Sequence, residues 1–280
     1  MSDKTFGWRV YGLGIIALAV MCLIWGDFHG GQPVPKNFPA REALAYVVAT
    51  FLLIAGITLE WRRTTLWAAA ALAIYFGLIV VLIMNVRLVL RNLGIYGAYD
   101  SMAEEIAITA GAFIIWASLA RLDETTSARL IRIAQIAFGV CAILFGGAHF
   151  VYMNLTAPLV PKWLPPNQLF WGYATGVFHI AGGLAIILNI RARLAAVLLA
   201  VMYAIFTVFA LVPGLLTKSS FFAWTEIAMS VILVGVAWVV ADSLARKNGP
   251  PAIFSKPGSP VPGHAEIAIP LWHLCSCFVL

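Results

Sequence analysis

Eight long apolar stretches constrain the fold of this chain more than any other feature of its sequence. Each approaches the length of about 20 apolar residues that an α-helix needs to cross a bilayer. Only 11% of the 280 residues are charged, against roughly 25% in water-soluble domains. The sequence therefore predicts an all-α integral membrane protein. The predicted spans are residues 10–28, 43–60, 65–86, 102–119, 130–150, 169–190, 194–216 and 220–241.

The distribution of basic residues predicts the orientation of these spans. With the N-terminus inside, twelve of the eighteen Lys and Arg residues fall in cytoplasmic segments. Cytoplasmic segments of membrane proteins carry the excess of Lys and Arg, so both termini are predicted to be cytoplasmic. The net charge of +6 then reflects topology. Lipids are the expected partners, and nucleic acid is not, because no block of five or more basic residues occurs.

The chain also resembles itself after a shift of about 122–130 residues. Each repeat contains four predicted helices, an even number, so the sequence predicts two parallel four-helix bundle repeats in the same orientation. The predicted units are residues 1–122 and 123–247, followed by a disordered or interfacial tail, 248–280. The matching segments are "LIWGDF" at 23–28 with "FGGAHF" at 145–150, "PVPKNFP" at 33–39 with "LVPKWLP" at 159–165, and "EIA" at 105–107 with "EIA" at 226–228.

The repeat bears on whether the first apolar stretch is a signal peptide. Lys4 and Arg9 give that stretch the charged start of a secretory signal. Its counterpart in the second unit is internal and cannot be cleaved, so the first helix is expected to be retained.

The second unit carries a series of motifs in fixed order: "GGAHF", "VPKWLPP", "YATGVFHIAGGLAIIL" and "RARLAAVLLA". In these motifs it resembles the DoxX/DoxD family of small bacterial and archaeal membrane proteins. The first unit resembles the family more weakly, since Asp27 stands in place of His149 and Leu53 in place of His179. Family members are described as four-helix bundles, and some are assigned to quinone-linked sulfur oxidation or membrane redox complexes.

The resemblance implies a quinone- or redox-linked subunit in the cytoplasmic membrane of a bacterium or archaeon. A quinone is then the expected cofactor, and other membrane or redox subunits are the expected partners. The repeat symmetry favours a different function, that of a non-catalytic membrane carrier or an assembly and scaffold protein. The sequence leaves open whether the protein is an enzyme, because no nucleotide loop, nucleophile triad or flavin fingerprint occurs.

Three residues are the candidates for catalytic chemistry: His149, His179 and Glu226. His179 shares a helical face with Gly172 and Gly176, a spacing that lets another helix approach closely, so its ring is expected to point into protein. Ionisable groups inside a membrane are costly and usually face a bundle interior or a cavity. If the second unit closes as a bundle, its first and last helices bring Glu226 to the histidines. The alternative is structural: imidazoles that hydrogen-bond backbone carbonyls and a carboxylate that stabilises a helix N-terminus.

Arg87 and Arg91 are the candidates for binding a cofactor. They lie four residues apart on a predicted helix and face one way, so they can bind an anion such as a lipid phosphate or a sulfur oxyanion. The commoner behaviour of such arginines is to extend their charged ends into water.

The sequence argues against a shared haem or metal. His179 lies ten residues into its predicted helix, about 15 Å deep at 1.5 Å per residue, whereas His149 lies near the membrane edge. The tail contains His273, Cys275 and Cys277, which are too few ligands on a terminus to predict a metal site. No metal site and no disulfide are therefore predicted.

The proline-rich segment "APLVPKWLPP", residues 157–166, cannot form a regular helix because proline fixes φ and lacks an N–H donor. Its apolar residues suit the membrane interface. The segment is predicted to fold onto the outer mouth of the second unit, either as a lid or as a passive connector.

Overall fold

The computed structural model describes residues 6–212 and 219–245, and every regular element in those ranges is helical. Eight helices there are long and apolar enough to cross a membrane, which confirms the all-α class and the predicted spans. The tail 248–280, with its candidate metal ligands, lies outside the described residues. The spanning helices are α1 (Gly7–Trp25), α2 (Arg41–Leu59), α3 (Thr65–Arg91), α4 (Tyr96–Leu119), α5 (Glu124–Val151), α6 (Gln168–Leu188), α7 (Ala192–Phe209) and α8 (Phe221–Ala245).

Two helix ends differ from the sequence expectation. α1 ends at Trp25 because Gly26 adopts a left-handed conformation with φ of 61°, so Asp27 lies beyond the helix. α5 begins at Glu124, earlier than predicted, because the side chain of Asp123 accepts a hydrogen bond of 2.9 Å from the backbone N–H of Thr126. Such a cap lets a polar first turn extend the helix beyond its apolar run.

Helices that follow one another in sequence pack side by side from α1 to α8, and α8 packs in turn against α1. α4 and α8 also contact each other across this ring. α5 therefore packs mainly against α4 and α6, whereas α8 packs mainly against α1, α4 and α7. The described residues of Met1–Lys247 form one compact unit, and the predicted boundary between units at residues 122 and 123 stays a prediction.

Glycines bring two helix pairs into backbone contact. A Cβ on Gly183 of α6 would lie 2.4 Å from the carbonyl oxygen of Gly139 in α5, and one on Gly146 would lie 2.7 Å from that of Gly176. α1 and α8 approach as closely, since a Cβ on Gly235 would lie 2.3 Å from the backbone nitrogen of Tyr11. The prediction that the glycine face of α6 packs against another helix is confirmed, and that helix is α5.

α3 contains a π-helical segment, Tyr75–Asn85, between its α-helical ends. π-helical turns are rare and frequently occur at functional sites. Here the segment carries Tyr75 at its start and Asn85 at its end, and both side chains are buried.

We call the end of the bundle where α1 and α5 end, and α2 and α6 begin, the loop end. The start of α4 lies there too, because the hydroxyl of Tyr96 donates to the carbonyl oxygen of Leu144 at 2.8 Å and the N–H of Gly97 donates to the hydroxyl of Tyr152. Two long connections occur at this end: residues 26–40, the first loop, and residues 152–167, the second loop.

Both loops fold onto the bundle. In the first loop, Phe28 and Val34 are buried and pack with Ala45 of α2. In the second, the side chain of Gln168 donates to the carbonyl oxygen of Val160 at 2.5 Å, and the indole of Trp171 donates to that of Pro165 at 2.8 Å. The proline-rich segment thus lies against the start of α6, and its position at the outer mouth of a second unit stays a prediction.

Candidate functional site

The two candidate histidines of the second half lie side by side. The ring of His149 on α5 and the ring of His179 on α6 are 5.3 Å apart between centroids, with planes inclined by 30°. His179 is only 3% exposed, which confirms that it points into protein. Its Nδ1–H donates to the carbonyl oxygen of Thr175 at 3.0 Å, so in the neutral ring Nε2 is the nitrogen that can accept a proton.

The sequence expectation that these rings lie at different depths is wrong. It assumed that α5 stops at the membrane edge. Instead α5 crosses α6 at the Gly146–Gly176 contact, directly beside both histidines, and the chain continues past Val151 into another helical turn, Met153–Thr156. Depth therefore does not argue against a ligand shared by the two rings. No group of three His, Cys, Asp or Glu in the described ranges has the geometry of a metal site.

Aromatic side chains surround the histidine pair, and some polar atoms among them have no partner. Tyr203 of α7 lies 5.5 Å from His179, and Phe206 lies 6.1 Å from His149, between ring centroids. The Nδ1 atom of His149 and the hydroxyl of Tyr203 are buried, and neither makes a hydrogen bond to any described residue. Buried polar groups are nearly always hydrogen-bonded, so this pair of orphans indicates a place where a ligand or water is accepted.

Glu226 does not join the histidines directly. Its carboxylate on α8 interacts electrostatically with Asp100 and Glu104 of α4. The sequence expectation assumed that α5 and α8 close into one bundle, but α4 lies against both helices and receives Glu226 instead. Asp100 also interacts with Tyr203, so the carboxylates and the histidine pair form two neighbouring groups joined through that tyrosine.

Arg87 and Arg91 lie on the last turns of α3, as predicted, and both are exposed. Within the described ranges neither side chain makes a hydrogen bond or an ion pair with another residue. This placement matches arginines that extend into water at a membrane surface.

An apolar groove of about 810 Å³ adjoins the histidine pair. α6 and α7 form its walls, and the second loop covers its end with Pro161, Trp163 and Leu164. Thr175, whose carbonyl oxygen holds His179, and Phe206, which contacts His149, both line the groove. The histidines therefore lie directly behind its wall.

The first half contains a second buried polar group, of which the sequence analysis includes only Glu105, in the repeated "EIA" segment. We call it the His29 centre, and it comprises five side chains from the first loop, α3 and α4. Its members are His29, Gln32, Tyr75, Asn85 and Glu105. His29 occurs in "GDFHGG", where the glycines allow the chain to turn back into the bundle, and that pattern was the available signal.

The first loop delivers His29 to a carboxylate. Its Nε2 lies 3.7 Å from Oε1 of Glu105, and its Nδ1 accepts a hydrogen bond of 3.2 Å from the N–H of Gly31. Burial lowers the pKa of His29 to about 4, because the charged ring would lose its hydration. Asn85 donates to the carbonyl oxygen of Gly31 at 2.9 Å, and Gln32 donates to the hydroxyl of Tyr75.

The residues that occupy the sequence positions of the second-half histidines have other roles. Asp27, the counterpart of His149, pairs with Arg41 at 2.5 Å near the surface. Leu53, the counterpart of His179, packs against the hydrophobic core. The two halves therefore build their polar centres from different positions.

Comparison with known proteins gives a family match but no activity. The model of a family described as "Domain of unknown function (DUF8561)" matches residues 138–241, from within α5 to within α8. No curated protein and no solved structure matches the chain. The matched region contains His149, His179 and Glu226.

Proposed function

We propose that this polytopic membrane protein binds a quinone-type ligand in the groove between α6 and α7 and serves as a membrane subunit of a redox complex. The observation that carries the proposal is that an apolar groove adjoins the histidine pair, and that one buried ring nitrogen of this pair has no hydrogen-bond partner among the described residues. The resemblance of the second half to the DoxX/DoxD family supports the same function.

The residues present fit such a ligand. A volume of about 810 Å³ lies within the usual range of roughly 300–1,000 Å³ for small-molecule sites. The walls are apolar along α6 and α7, which suits an isoprenoid tail. The unpartnered Nδ1 of His149 and hydroxyl of Tyr203 lie behind the wall, so they act on a polar head group through a water that reaches them from the groove.

When bound, a quinone supplies two-electron, two-proton redox chemistry. The residues of this chain hold and move the protons. Nε2 of His179 accepts a proton, because Nδ1 is fixed on the carbonyl oxygen of Thr175. Tyr203 lies between that ring and the carboxylates of Asp100, Glu104 and Glu226, which store protons. Electrons come from a partner redox subunit.

The two-repeat arrangement and the orientation belong to this proposal. The neighbours α1–α2, α2–α3 and α3–α4 recur as α5–α6, α6–α7 and α7–α8, and the contact α4–α5 recurs as α8–α1. Adding four to each helix number thus maps these pairs onto each other, which supports two units in the same orientation. The distribution of Lys and Arg supports a cytoplasmic position for both termini. Labelling from one side of cysteines placed at Lys36 and Arg63 tests that topology.

The experiment uses Ala181, which lines the groove and is exposed, so that a larger side chain fills the groove without disturbing the core. We expect Ala181→Trp to reduce binding of a short-chain benzoquinone by about tenfold or more, which is about 1.4 kcal/mol. The measurement is quinone titration of the purified protein, together with extraction of the quinone that copurifies.

Leu184→Trp is the matched control, because Leu184 is exposed on the same helix but does not line the groove. His179→Ala and Glu226→Gln should not disturb how the isoprenoid tail of the quinone packs in the groove. They should change the pH dependence of quinone binding. A wild-type protein that binds no quinone, or an Ala181→Trp variant that binds it equally well, would contradict the proposal.

The alternative function, a non-catalytic carrier or an assembly protein, is favoured by one observation. α6 and α7 present many exposed apolar side chains on either side of the groove, among them Phe178, Leu198 and Phe209. A membrane partner helix can pack there. Copurification of a partner that Ala181→Trp displaces, without any quinone, would support this function.

A further inference from the structure

The His29 centre contains four buried polar atoms that have no hydrogen-bond partner among the described residues. They are Nε2 of His29, both carboxylate oxygens of Glu105 and Oδ1 of Asn85. Leaving one such group unpartnered costs about 1–3 kcal/mol, and several together are rarely tolerated. The centre is independent of the groove and the histidine pair, since its residues come from the first loop, α3 and α4.

The three side chains that carry these atoms all meet the backbone of Gly31. A Cβ on Gly31 would lie 1.8 Å from Oε1 of Glu105 and 2.9 Å from Cε1 of His29. The carbonyl oxygen of the same glycine accepts the side-chain amide of Asn85 at 2.9 Å. The missing side chain of Gly31 is what allows the carboxylate of Glu105 to lie against this backbone, so the imidazole, the carboxylate and the amide all meet at Gly31.

The donors and acceptors among these atoms indicate which ligand the His29 centre can bind. Nδ1 of His29 accepts from the N–H of Gly31, so the neutral ring carries its proton on Nε2. This N–H is the donor nearest to the carboxylate of Glu105. At 3.7 Å from Oε1 of Glu105, this donor is too far for a direct hydrogen bond. The centre therefore holds one unpartnered donor and three unpartnered acceptors, and a water beside Nε2 of His29 and Oε1 of Glu105 is the ligand that such a set satisfies.

A metal cation fits less well. Within the described ranges the centre offers one carboxylate and one amide oxygen, whereas hard divalent cations take six or more oxygen ligands. The Nε2–H of His29 lies beside the same carboxylate and repels a cation there. No Lys or Arg of the described residues forms an ion pair with Glu105, so a charge on its carboxylate is not neutralised within the chain.

We propose that the His29 centre is a hydrated proton-binding site in which Glu105 takes up and releases one proton through a bound water. With the carboxylate ionised, the water accepts from Nε2–H of His29 and donates to Glu105 and to Oδ1 of Asn85. When a proton arrives, it forms an O–H bond on Glu105, and that O–H donates to the water or to Oδ1 of Asn85. The proton comes from a hydronium ion that enters through the bound water, so one O–H bond breaks as the O–H bond on Glu105 forms, and a neutral water remains.

The other groups that face Glu105 are its electrostatic neighbours. Tyr11 of α1 and Tyr75 of α3 both interact with its carboxylate, and Cys22 of α1 interacts with Tyr75. On α4 itself, Glu104 interacts with Glu105. All of these groups are neutral when protonated, so Glu104 acts on Glu105 as a like charge only when its own carboxylate is ionised.

The experiment is infrared difference spectroscopy of the full-length protein in lipid nanodiscs, between mildly acidic and mildly alkaline buffer. We expect a carboxylic-acid C=O band that shifts in D₂O and is lost in Glu105→Gln. Glu42→Gln, at an exposed carboxylate of α2, is the control and should keep the band. His29→Gln should keep the band and move the pH at which it appears.

A matched glycine pair tests the bound water. Gly31→Ala puts a Cβ where the carboxylate of Glu105 lies, so the carboxylate must move away from His29, and a weakly bonded O–H band that shifts in H₂¹⁸O should be lost. Gly30→Ala, with nothing within 4 Å of its Cβ, should keep that band. Should Glu105→Gln not fold, Glu105→Asp must shift the C=O band. The proposal would be overturned by a wild-type spectrum without that band. It would also be overturned if the band were unchanged when Glu105 is substituted. A sodium-dependent rise in thermal stability of the wild type that Glu105→Gln lacks would overturn it too, because that result identifies a cation site.

Discussion

The two halves of the protein place histidines in the membrane region by different means. In the second half, His149 and His179 are carried by helices whose backbones touch, so glycine packing fixes the distance between the rings. In the first half, His29 is carried by a loop that folds back into the bundle and reaches a carboxylate of α4. A helix-borne pair depends on interhelical packing, whereas a loop-borne histidine depends on whatever keeps the loop in place.

The related loop sequences show the same difference. "PVPKNFP" belongs to the first loop, which inserts Phe28 and His29 among the helices. "LVPKWLP" belongs to the second loop, which lies over the end of the apolar groove with Trp163 exposed. Loops with a similar proline pattern thus pack differently. The first loop inserts side chains between the helices, whereas the second loop lies over the end of the groove.

The largest expected effect comes from breaking the glycine packing of the second half. In Gly183→Ala the new Cβ would lie 2.4 Å from a backbone oxygen of α5, so the two helices must separate. We expect a loss of at least about 3 kcal/mol of unfolding free energy, the upper part of the range for overpacking. Unfolding in detergent measures the loss, and histidine NMR shifts report the separation of His149 and His179.

Gly94→Ala is the control, because nothing lies within 4 Å of its Cβ. The buried carboxylic-acid band of the first half should survive in Gly183→Ala. If Gly183→Ala is as stable as the control, the histidine pair does not depend on this contact.

The next effect is on pH dependence and concerns the loop-borne histidine. The pKa of His29 is lowered by burial to about 4, so the ring is neutral in the folded protein while the unfolded chain binds a proton below about 6.5. Its contribution to stability is complete above about pH 6.5 and is lost as the pH falls toward 4, by up to about 3 kcal/mol. The measurement is the unfolding midpoint against pH.

His29→Gln should flatten this decline between about pH 6.5 and 4, because the substituted residue binds no proton. His149→Gln makes the matched change in the other half and should retain the part of the decline that His29 causes. Equal profiles for the wild type and His29→Gln would show that the first loop leaves the bundle before the ring is protonated.

The smallest effect concerns the residue that holds the first loop. Arg41 pairs with Asp27, donates to the carbonyl oxygen of Val34 at 3.4 Å and lies over the ring of Phe28. The pair is partly exposed, so Arg41→Gln should cost only about 1 kcal/mol or less. Hydrogen exchange should nevertheless speed up in residues 26–40 and stay unchanged in residues 152–167.

Arg91→Gln is the matched control, because Arg91 is exposed and makes no ion pair within the described ranges. If exchange in residues 26–40 is unchanged in Arg41→Gln, the buried contacts of Phe28 and Val34 hold the loop without it.

Hydropathy and glycine spacing were enough to predict the eight spans and the inward direction of His179, because both depend on local patterns. The proximity of His149 and His179 was not predictable from depth along each helix, since it depends on where two helices cross. The position of Glu226 depends on α4 packing between α5 and α8. That packing joins helices far apart in sequence, so no local sequence pattern predicts it. His29 was missed because a loop residue has no helical period to indicate which way it faces.

Glu104 and Glu105 are consecutive on α4, and a step of one residue turns a helix by about 100°. Glu104 therefore faces Glu226 of the second half while Glu105 faces His29 of the first, and the two carboxylates still interact. A proton on one of them removes a like charge and makes proton binding at the other less favourable, and this linkage is reciprocal. If both carboxylates exchange protons, a proton bound in one half therefore promotes release from the other, which is negative cooperativity without any movement of the helices.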